Sequence, residues 1–414
     1  MQARHLIPLL TLSVSLVFAQ GSGGVNVPEH RDKPYLLLIS IDGFRWDFQD
    51  LHDTPTLDQL ATDGVRAERM VPVFPTLTFP NHFSIATGLY PANHGLIGNR
   101  FPSKDRSRFY SLRDREAVQD GSWYGGEPVW IAAENAGMVT AAYYFVGTEA
   151  DVDGINMTYW HQFDASVPGA ERVDKAIEWL SMPTATRPHL ITLYFEDVDT
   201  ATHQFAAGSP ESIAAVERVD GYLARLLDGI EALPIADDVY IIIVSDHGQR
   251  AFVDGAVPFI ISDAVDLDGL TVVDHGASTY IYFPEPDRER AVTIRDTINT
   301  RWEHGKAMLR EQTPESWRTT EEAGFADIIL VADPGYGALS GLREPSSVKS
   351  THGWSPEVQA MHGFFLASGP RMPNGETIGP INVVDVYPLM MEILGLPVTT
   401  TIDGDASALV PLLQ

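Results

Sequence analysis

The sequence predicts an α/β protein: a doubly wound, largely parallel central sheet carrying a small α+β insertion. Three observations predict it. Short apolar, β-branched runs recur along the chain; each ends in acids or a histidine; and segments with helical spacing lie between them. Residues 35–40 lead into Asp42 and Gly43, residues 189–195 into Glu196, Asp197 and Asp199, and residues 239–245 into Asp246, His247 and Gly248. Runs this uniformly apolar suit parallel strands covered on both faces. Folds of this class place their active sites at the carboxyl ends of the strands. A lone Asp there is usually a strand terminus or a helix cap, but three endings that all carry metal-ligand chemistry are hard to assign that way.

Taken in order, the chain opens with Arg4, an apolar run over 6–18, and small residues Val17 and Ala19 at positions suited to cleavage. That pattern predicts a signal peptide over 1–19, followed by a polar leader over 20–33 and a single catalytic domain over 34–414. The first run is too short to span a membrane, and no later one reaches the roughly 18 apolar residues a span needs. Residues 171–181 and 212–232 are predicted helices. Residues 265–350 change character: 279–283 and 327–332 read as strands, and the Arg/Glu-rich stretch 288–310 reads as helical. Residues 361–369 then return to the core as a strand, and 385–395 form a closing helix with Gly395 at its C-cap.

Composition removes several classes of function. The 414 residues carry a formal charge of -28, which argues against a nucleic-acid groove but not against small anionic substrates held through metal ions. There is no cysteine, so disulfides, thiolate metal sites and thiol nucleophiles are excluded. Disulfide-free export fits a bacterial periplasm. The Asn156-Met157-Thr158 glycosylation signature is read as chance in that setting.

The densest chemistry lies in residues 73–99, VFPTLTFPNHFSIATGLYPANHGLIGN. A Pro-punctuated loop runs into a helix-capable segment, with Thr78 at the junction. Thr78 reads two ways. It is an N-cap, or it is a nucleophile facing the unpaired N–H groups and positive dipole end of a helix, a place that favours an alkoxide and a bound phosphate. The rest of the chain favours the second reading. Asp199 and His203 stand four apart, so one helical face presents both to a metal. Asp246 and His247 end one strand, Asp42 ends another, and His352 precedes a glycine after the insertion. Three Asp, three His and no Cys suit mixed nitrogen and oxygen coordination of zinc, and the ligand number suggests two ions. His82, His94, His275 and His362 compete as ligands, with His275 the serious rival to His352. Thr76 and Ser84 compete with Thr78, and Arg45 with Asp47 reads as a structural ion pair.

Together these motifs resemble the nucleotide pyrophosphatase/phosphodiesterase family of the alkaline phosphatase superfamily. The similar segments are Ile41 to Arg45, Pro75 to His82 with its TFPNH block, 87–91, His94-Gly95, 123–130, Asp199 with His203, 245–248, His352-Gly353 and 385–388, so the resemblance runs from about Pro34 to Pro397. It implies a fold of the alkaline phosphatase type. It implies two zinc ions, one held by Asp199, His203 and His352 and the other by Asp42, Asp246 and His247, with the Thr78 oxygen reaching both. Thr78 becomes the nucleophile, and Asn99 the donor to a non-bridging phosphate oxygen. Phe79 and Tyr194 become walls for a base, with Leu112 and Tyr159 lining the pocket.

The resemblance has gaps. Residues 144–148 read YFVGT where family members commonly read FWPGS, and Ala117 stands near the place of a substrate-contacting Lys in some vertebrate members. The expected function is an exported di-zinc phosphodiesterase releasing nucleoside 5′-monophosphates from nucleotide diesters and pyrophosphates. The alternative is a lipid or choline-phosphate diesterase on the same scaffold. A monoesterase would need a Ser beside a phosphate-gripping Arg, where this chain has Thr78, Phe79 and Pro80. A non-catalytic metal-stabilised binding protein would lack Thr78 or a ligand.

Overall fold

The computed structural model describes residues 23–342 and 347–413. The expected signal peptide and the first residues of the leader lie outside the described residues. The first strand, Tyr35–Ile41, is buried along its whole length and sits inside an eight-stranded sheet. From one edge the order is Glu376–Ile378, Gly64–Ala67, Phe365–Ser368, Val239–Val244, Tyr35–Ile41, Leu190–Phe195, Thr140–Tyr143 and Tyr159–Trp160. The strands of this sheet run parallel except Phe365–Ser368, which is antiparallel to both neighbours.

Strand periodicity divides the core in two. Leu36 and Leu38 join one hydrophobic cluster with Ile242 and Val244, while Leu37, Ile39 and Ile41 join another with Ile241 and Ile243. Helices Thr78–Thr87, Val129–Asn135 and Val386–Leu394 cover the first face; Pro55–Thr62, Gly169–Leu180 and Pro210–Glu231 cover the second. Each fully buried Leu or Ile contributes about 2 kcal/mol, so a central strand apolar on both faces is what the two helix layers require. Helix Pro210–Glu231 starts where Ser209 accepts the Ser212 N–H. Its buried Asp220 accepts the N–H groups of Thr56 and Leu57, fixing the start of helix Pro55–Thr62 through the dipole of that helix.

Between Val239–Val244 and Phe365–Ser368 the chain builds a second, four-stranded antiparallel sheet, ordered Thr271–Asp274, Ser278–Tyr282, Ile328–Ala332 and Gly305–Leu309. One face of it, with Tyr280, Tyr282, Ile329 and Val331, merges with the first core cluster. The other, with Ile281, Ile328 and Leu330, packs on Ile294 and Ile298 of helix Arg288–Arg301. The helical expectation for 288–310 is corrected here. The helix ends at Arg301, and Gly305–Leu309 is a strand, because pairing with Ile328–Ala332 buries Ala307, Met308 and Leu309. Among the described residues no helix is long and apolar enough to cross a membrane.

Candidate active site

The carboxyl ends of the three middle strands deliver the acids. Asp42 follows Ile41 directly, and Asp246 with His247 follows Val239–Val244. Asp199 and His203 lie one turn apart on helix Asp197–Phe205, which leaves Leu190–Phe195. Gly43 makes the convergence sterically possible. Its φ is +68°, and a Cβ there would stand 2.8 Å from the Gln249 side chain and 3.1 Å from the Asp199 Cα.

Two groups of donors result: Asp42, Asp246 and His247, and Asp199, His203 and His352. Within each group one donor atom per residue lies within 4.8 Å of the others. His352 arrives from the far side, on a two-residue ladder pairing Ser350–Thr351 with Arg250–Ala251, and its ring stacks on that of His247 at 3.6 Å. Each histidine is oriented the same way. The Nδ1 of His203 donates to Ser350 O at 2.7 Å, that of His247 to Gly248 O at 3.1 Å, and that of His352 to Thr76 O at 2.9 Å, which leaves Nε2 facing the centre.

The carboxylates show the same half-satisfied pattern. Tyr194 OH donates to Asp42 Oδ2 at 2.6 Å and Gly43 N–H to Asp246 Oδ1 at 3.2 Å, while Asp42 Oδ1 is buried without a hydrogen-bond partner and Asp246 Oδ2 faces only the rings of His247 and His82. A buried orphan carboxylate oxygen costs free energy unless a cation takes it. The donor set of three carboxylates and three imidazoles fits two divalent cations such as zinc.

Electrostatics agree. Burial, then the neighbouring Asp246 and Asp199, push Asp42 well above the usual carboxylate range. Burial also acts to raise Asp246, but His247 and His82 outweigh it and hold Asp246 well below that range. Burial and the adjacent His247 and His203 hold His352 far below the usual histidine value, so it stays neutral and able to ligate. Burial and the Asp42 carboxylate keep the Tyr194 phenol protonated as a donor.

Thr78 is not an N-cap. Leu77 occupies the cap position of helix Thr78–Thr87, and Thr78 is its first helical residue. Its Oγ1 is 3.3 Å from His247 Nε2. Asn99 sits beside it, its Oδ1 accepting the Phe79 N–H at 2.9 Å, so its NH2 is left to donate. Most of the competing residues are occupied elsewhere. Thr76 Oγ1 donates to Trp354 O, Ser84 Oγ pairs with His94, and His362 Nε2 donates to Pro356 O, while His275 belongs to neither ligand group, its Nε2 unpartnered beside Gly98. Arg45 pairs with Asp47.

The expected pocket residues separate. Phe79 is half-buried against Tyr110, and Leu112 hangs on Asn99 through its N–H at 3.0 Å. Tyr194 turns its ring edge to His82 and Phe163 while its hydroxyl serves Asp42. Tyr159 lies away from them. It pairs with Ala141, opposite Ile191, four residues before Phe195, and its ring stacks on Trp179. The aromatic that stands beside Tyr194 is instead Phe163, 37% exposed, with Tyr144 also against its ring. The extended run after the edge strand carries it there, and no periodicity marks it in the sequence. Two further residues support the ligands. Gln249, absent from the sequence reading, donates its Nε2 to the Asp199 carboxylate; His82, a competing ligand there, instead pairs with Ser40 Oγ through Nε2 and faces Thr78 O and Asp246 with Nδ1. Gln249 directly follows the Asp246-His247-Gly248 ending, and that proximity was the one available signal.

Fold and site together define an α/β protein of the alkaline phosphatase superfamily with two metal-ligand groups, one of them beside a threonine. The chain belongs to the type I phosphodiesterase/nucleotide pyrophosphatase family, whose profile matches residues 36–364. It is 29% identical over 383 residues to rat ectonucleotide pyrophosphatase/phosphodiesterase family member 1, covering 89% of this chain and 42% of the relative. To the venom phosphodiesterase of Naja atra it is 29% identical over 387 residues, covering 91% and 46%. The chain thus spans less than half the length of these curated relatives. Murine ectonucleotide pyrophosphatase/phosphodiesterase 5 superposes with a TM-score of 0.85 at 26% identity, covering 92% of this chain and 100% of that one. An inactive threonine-to-alanine form of it in complex with AMP matches with the same TM-score of 0.85.

Proposed function

We propose that the chain hydrolyses nucleotide phosphodiester and pyrophosphate bonds, releasing nucleoside 5′-monophosphates through a covalent ester on Thr78. One observation carries this reading: a threonine hydroxyl at a helix N-terminus, free of any capping role and 3.3 Å from a residue of a two-metal ligand set. Asp199, His203 and His352 would hold one zinc ion, and Asp42, Asp246 and His247 the other. Bound there, such ions supply Lewis-acid neutralisation of phosphate charge and ionise a neighbouring hydroxyl.

The chain's own residues do the rest. The first turn of helix Thr78–Thr87 presents backbone N–H groups and its positive dipole end to the phosphate. Asn99 donates its NH2 to a non-bridging oxygen and is aimed by the Phe79 N–H. Thr78 Oγ, having lost its proton to solvent, forms the new O–P bond as the bond to the leaving oxygen breaks in line. Water then cleaves the threonyl ester, restoring the hydroxyl and freeing the monophosphate. Phe79, Leu112, Tyr194 and Phe163 flank the entry and offer faces for a base. Export is part of the same reading, since matching relatives are named as ectoenzymes.

Initial rates on p-nitrophenyl esters of thymidine 5′-phosphate, phosphocholine and phosphate test it. A preference for the thymidine diester supports the nucleotide reading. A preference for phosphocholine moves the substrate to a lipid head group, and a preference for the monoester contradicts the reading.

A further inference from the structure

The two sides of the proposed base pocket come from distant parts of the chain, and one buried carboxylate joins them. Glu149 is 7% exposed. Its Oε1 accepts the backbone N–H of Phe163 at 3.0 Å, and its Oε2 accepts Gln119 Nε2 at 3.3 Å and Arg115 Nη2. Arg115 and Gln119 open and close helix Arg115–Gln119, whose start is capped by Asp114, two residues after Leu112. Leu112 in turn donates its N–H to the Asn99 carbonyl, and Asn99 accepts from Phe79. A continuous path of hydrogen bonds and short chain segments therefore runs from the first turn of the Thr78 helix around to Phe163, with Glu149 as its one junction.

The loop that presents Glu149 is itself fixed. Tyr144 and Phe145 have φ of +69° and +153°, conformations rare for side-chain-bearing residues. Thr192 Oγ1 holds the Tyr144 carbonyl at 2.9 Å, and Thr148 Oγ1 holds that of Phe145 at 2.9 Å.

We infer that Glu149, clamped by Arg115, is a positioning residue that fixes the spacing between the Leu112 and Phe163 walls and so sets selectivity for a nucleoside-bearing ester. The inference rests on the reading that those walls receive the base. Glu149 touches neither Thr78 nor a ligand residue, so loosening it affects binding of the nucleoside rather than bond breaking.

The test measures KM and kcat for wild type, Glu149→Gln, Arg115→Ala and Phe163→Ala on p-nitrophenyl thymidine 5′-phosphate and on methyl p-nitrophenyl phosphate. Loosened geometry of this kind predicts a KM rise of about 5–10-fold on the nucleoside ester for both clip variants, kcat within about twofold, and no such rise on the methyl ester. A variant combining Glu149→Gln with Arg115→Ala should be no worse than the poorer single one, since both break the same Arg115–Glu149 ion pair. Arg115 is partly exposed, so Arg115→Ala decides the matter if Glu149→Gln does not fold. Equal losses on both substrates, or unchanged KM in the clip variants, overturn the inference. If Phe163→Ala abolishes the nucleoside preference while the clip variants keep it, the clip alone falls. If wild type shows no such preference, the pocket reading falls and takes the clip with it.

Discussion

The Thr78 hydroxyl oxygen lies 3.3 Å from Nε2 of His247, across the gap between the first turn of one helix and the carboxyl end of the strand Val239–Val244. Helix and strand belong to opposite sides of this contact, so the pairing depends on the whole sheet and not on local sequence. Of the two hydroxyls in the PTLTFP loop, Thr76 donates to the Trp354 carbonyl, and Thr78 faces His247 of the Asp42, Asp246 and His247 group.

Tyr194→Phe separates two roles. Its hydroxyl holds Asp42 Oδ2, while its ring stands beside Phe163. Losing an outer hydrogen bond to a ligand typically costs ~10–100-fold in metal affinity. The variant should need correspondingly more zinc for half-maximal activity, with KM for the thymidine diester near wild type. A raised KM at unchanged zinc demand would show that the ring environment, not Asp42, was disturbed.

Phe163→Ala and Tyr159→Ala should behave differently, although both remove a ring from the same stretch. Phe163 is exposed beside Tyr194, whereas Tyr159 packs on Trp179. Phe163→Ala raises KM for nucleoside esters by about 10-fold, in line with the ~1–3 kcal/mol a base gains by stacking on an aromatic. Tyr159→Ala lowers the melting temperature and leaves KM unchanged. The reverse pattern would restore Tyr159 to the pocket.

Chelation exposes the electrostatic cost of the site. Asp42 is pushed well above its ordinary value by burial and by Asp246 and Asp199, so its contribution to stability is present below the unfolded value and is lost as pH rises toward the folded one. In chelator at pH 8, Asp42→Asn should therefore melt higher than wild type. With zinc at 100-fold its dissociation constant, wild type gains about 2.7 kcal/mol, and the Asp42→Asn variant should gain much less. Equal zinc-induced shifts in the two proteins would remove Asp42 from the ligand set.

Acid stability tests the buried histidine behind the Thr78 helix. Burial lowers His94 to about 3, and its Nδ1 accepts the Leu96 N–H, so a second proton would break that bond. Because the folded value is below the ordinary 6.5, this stability is full above pH 6.5 and is lost as pH falls toward 3, at about 1.4 kcal/mol per unit. His94→Gln should be less stable at pH 7.5 yet lose less melting temperature between pH 7 and 5. Parallel melting curves for the two proteins across that range would refute a neutral His94.

Much of this was legible in the sequence, for a physical reason. Parallel strands buried on both faces cannot hide their apolar runs, so 35–40, 189–195 and 239–245 stood out, and the acids at their ends followed. The short strands Gly64–Ala67 and, at the edge, Glu376–Ile378 carry Gly, Arg and Glu and give no such signal. The N-cap reading of Thr78 was undecidable locally, because a cap and a first helical residue differ by one position. Phe163 carries no signal in the sequence because an extended segment without periodicity places it beside Tyr194, and Tyr159, a nearby aromatic, looks the same in one dimension. Glu149 was invisible for a related cause: its partners, Arg115, Gln119 and Phe163, are brought to it by the fold alone.

The most direct test of the central claim is an acid quench during turnover of p-nitrophenyl thymidine 5′-phosphate, followed by mass analysis of the peptide spanning Thr78. The account predicts a thymidylyl adduct on Thr78 that forms within the first turnover and decays to free protein. It also predicts that Thr78→Ala forms no adduct and loses at least about 10³-fold in kcat. Turnover by Thr78→Ala near the wild-type rate, or an adduct on another residue, would contradict it.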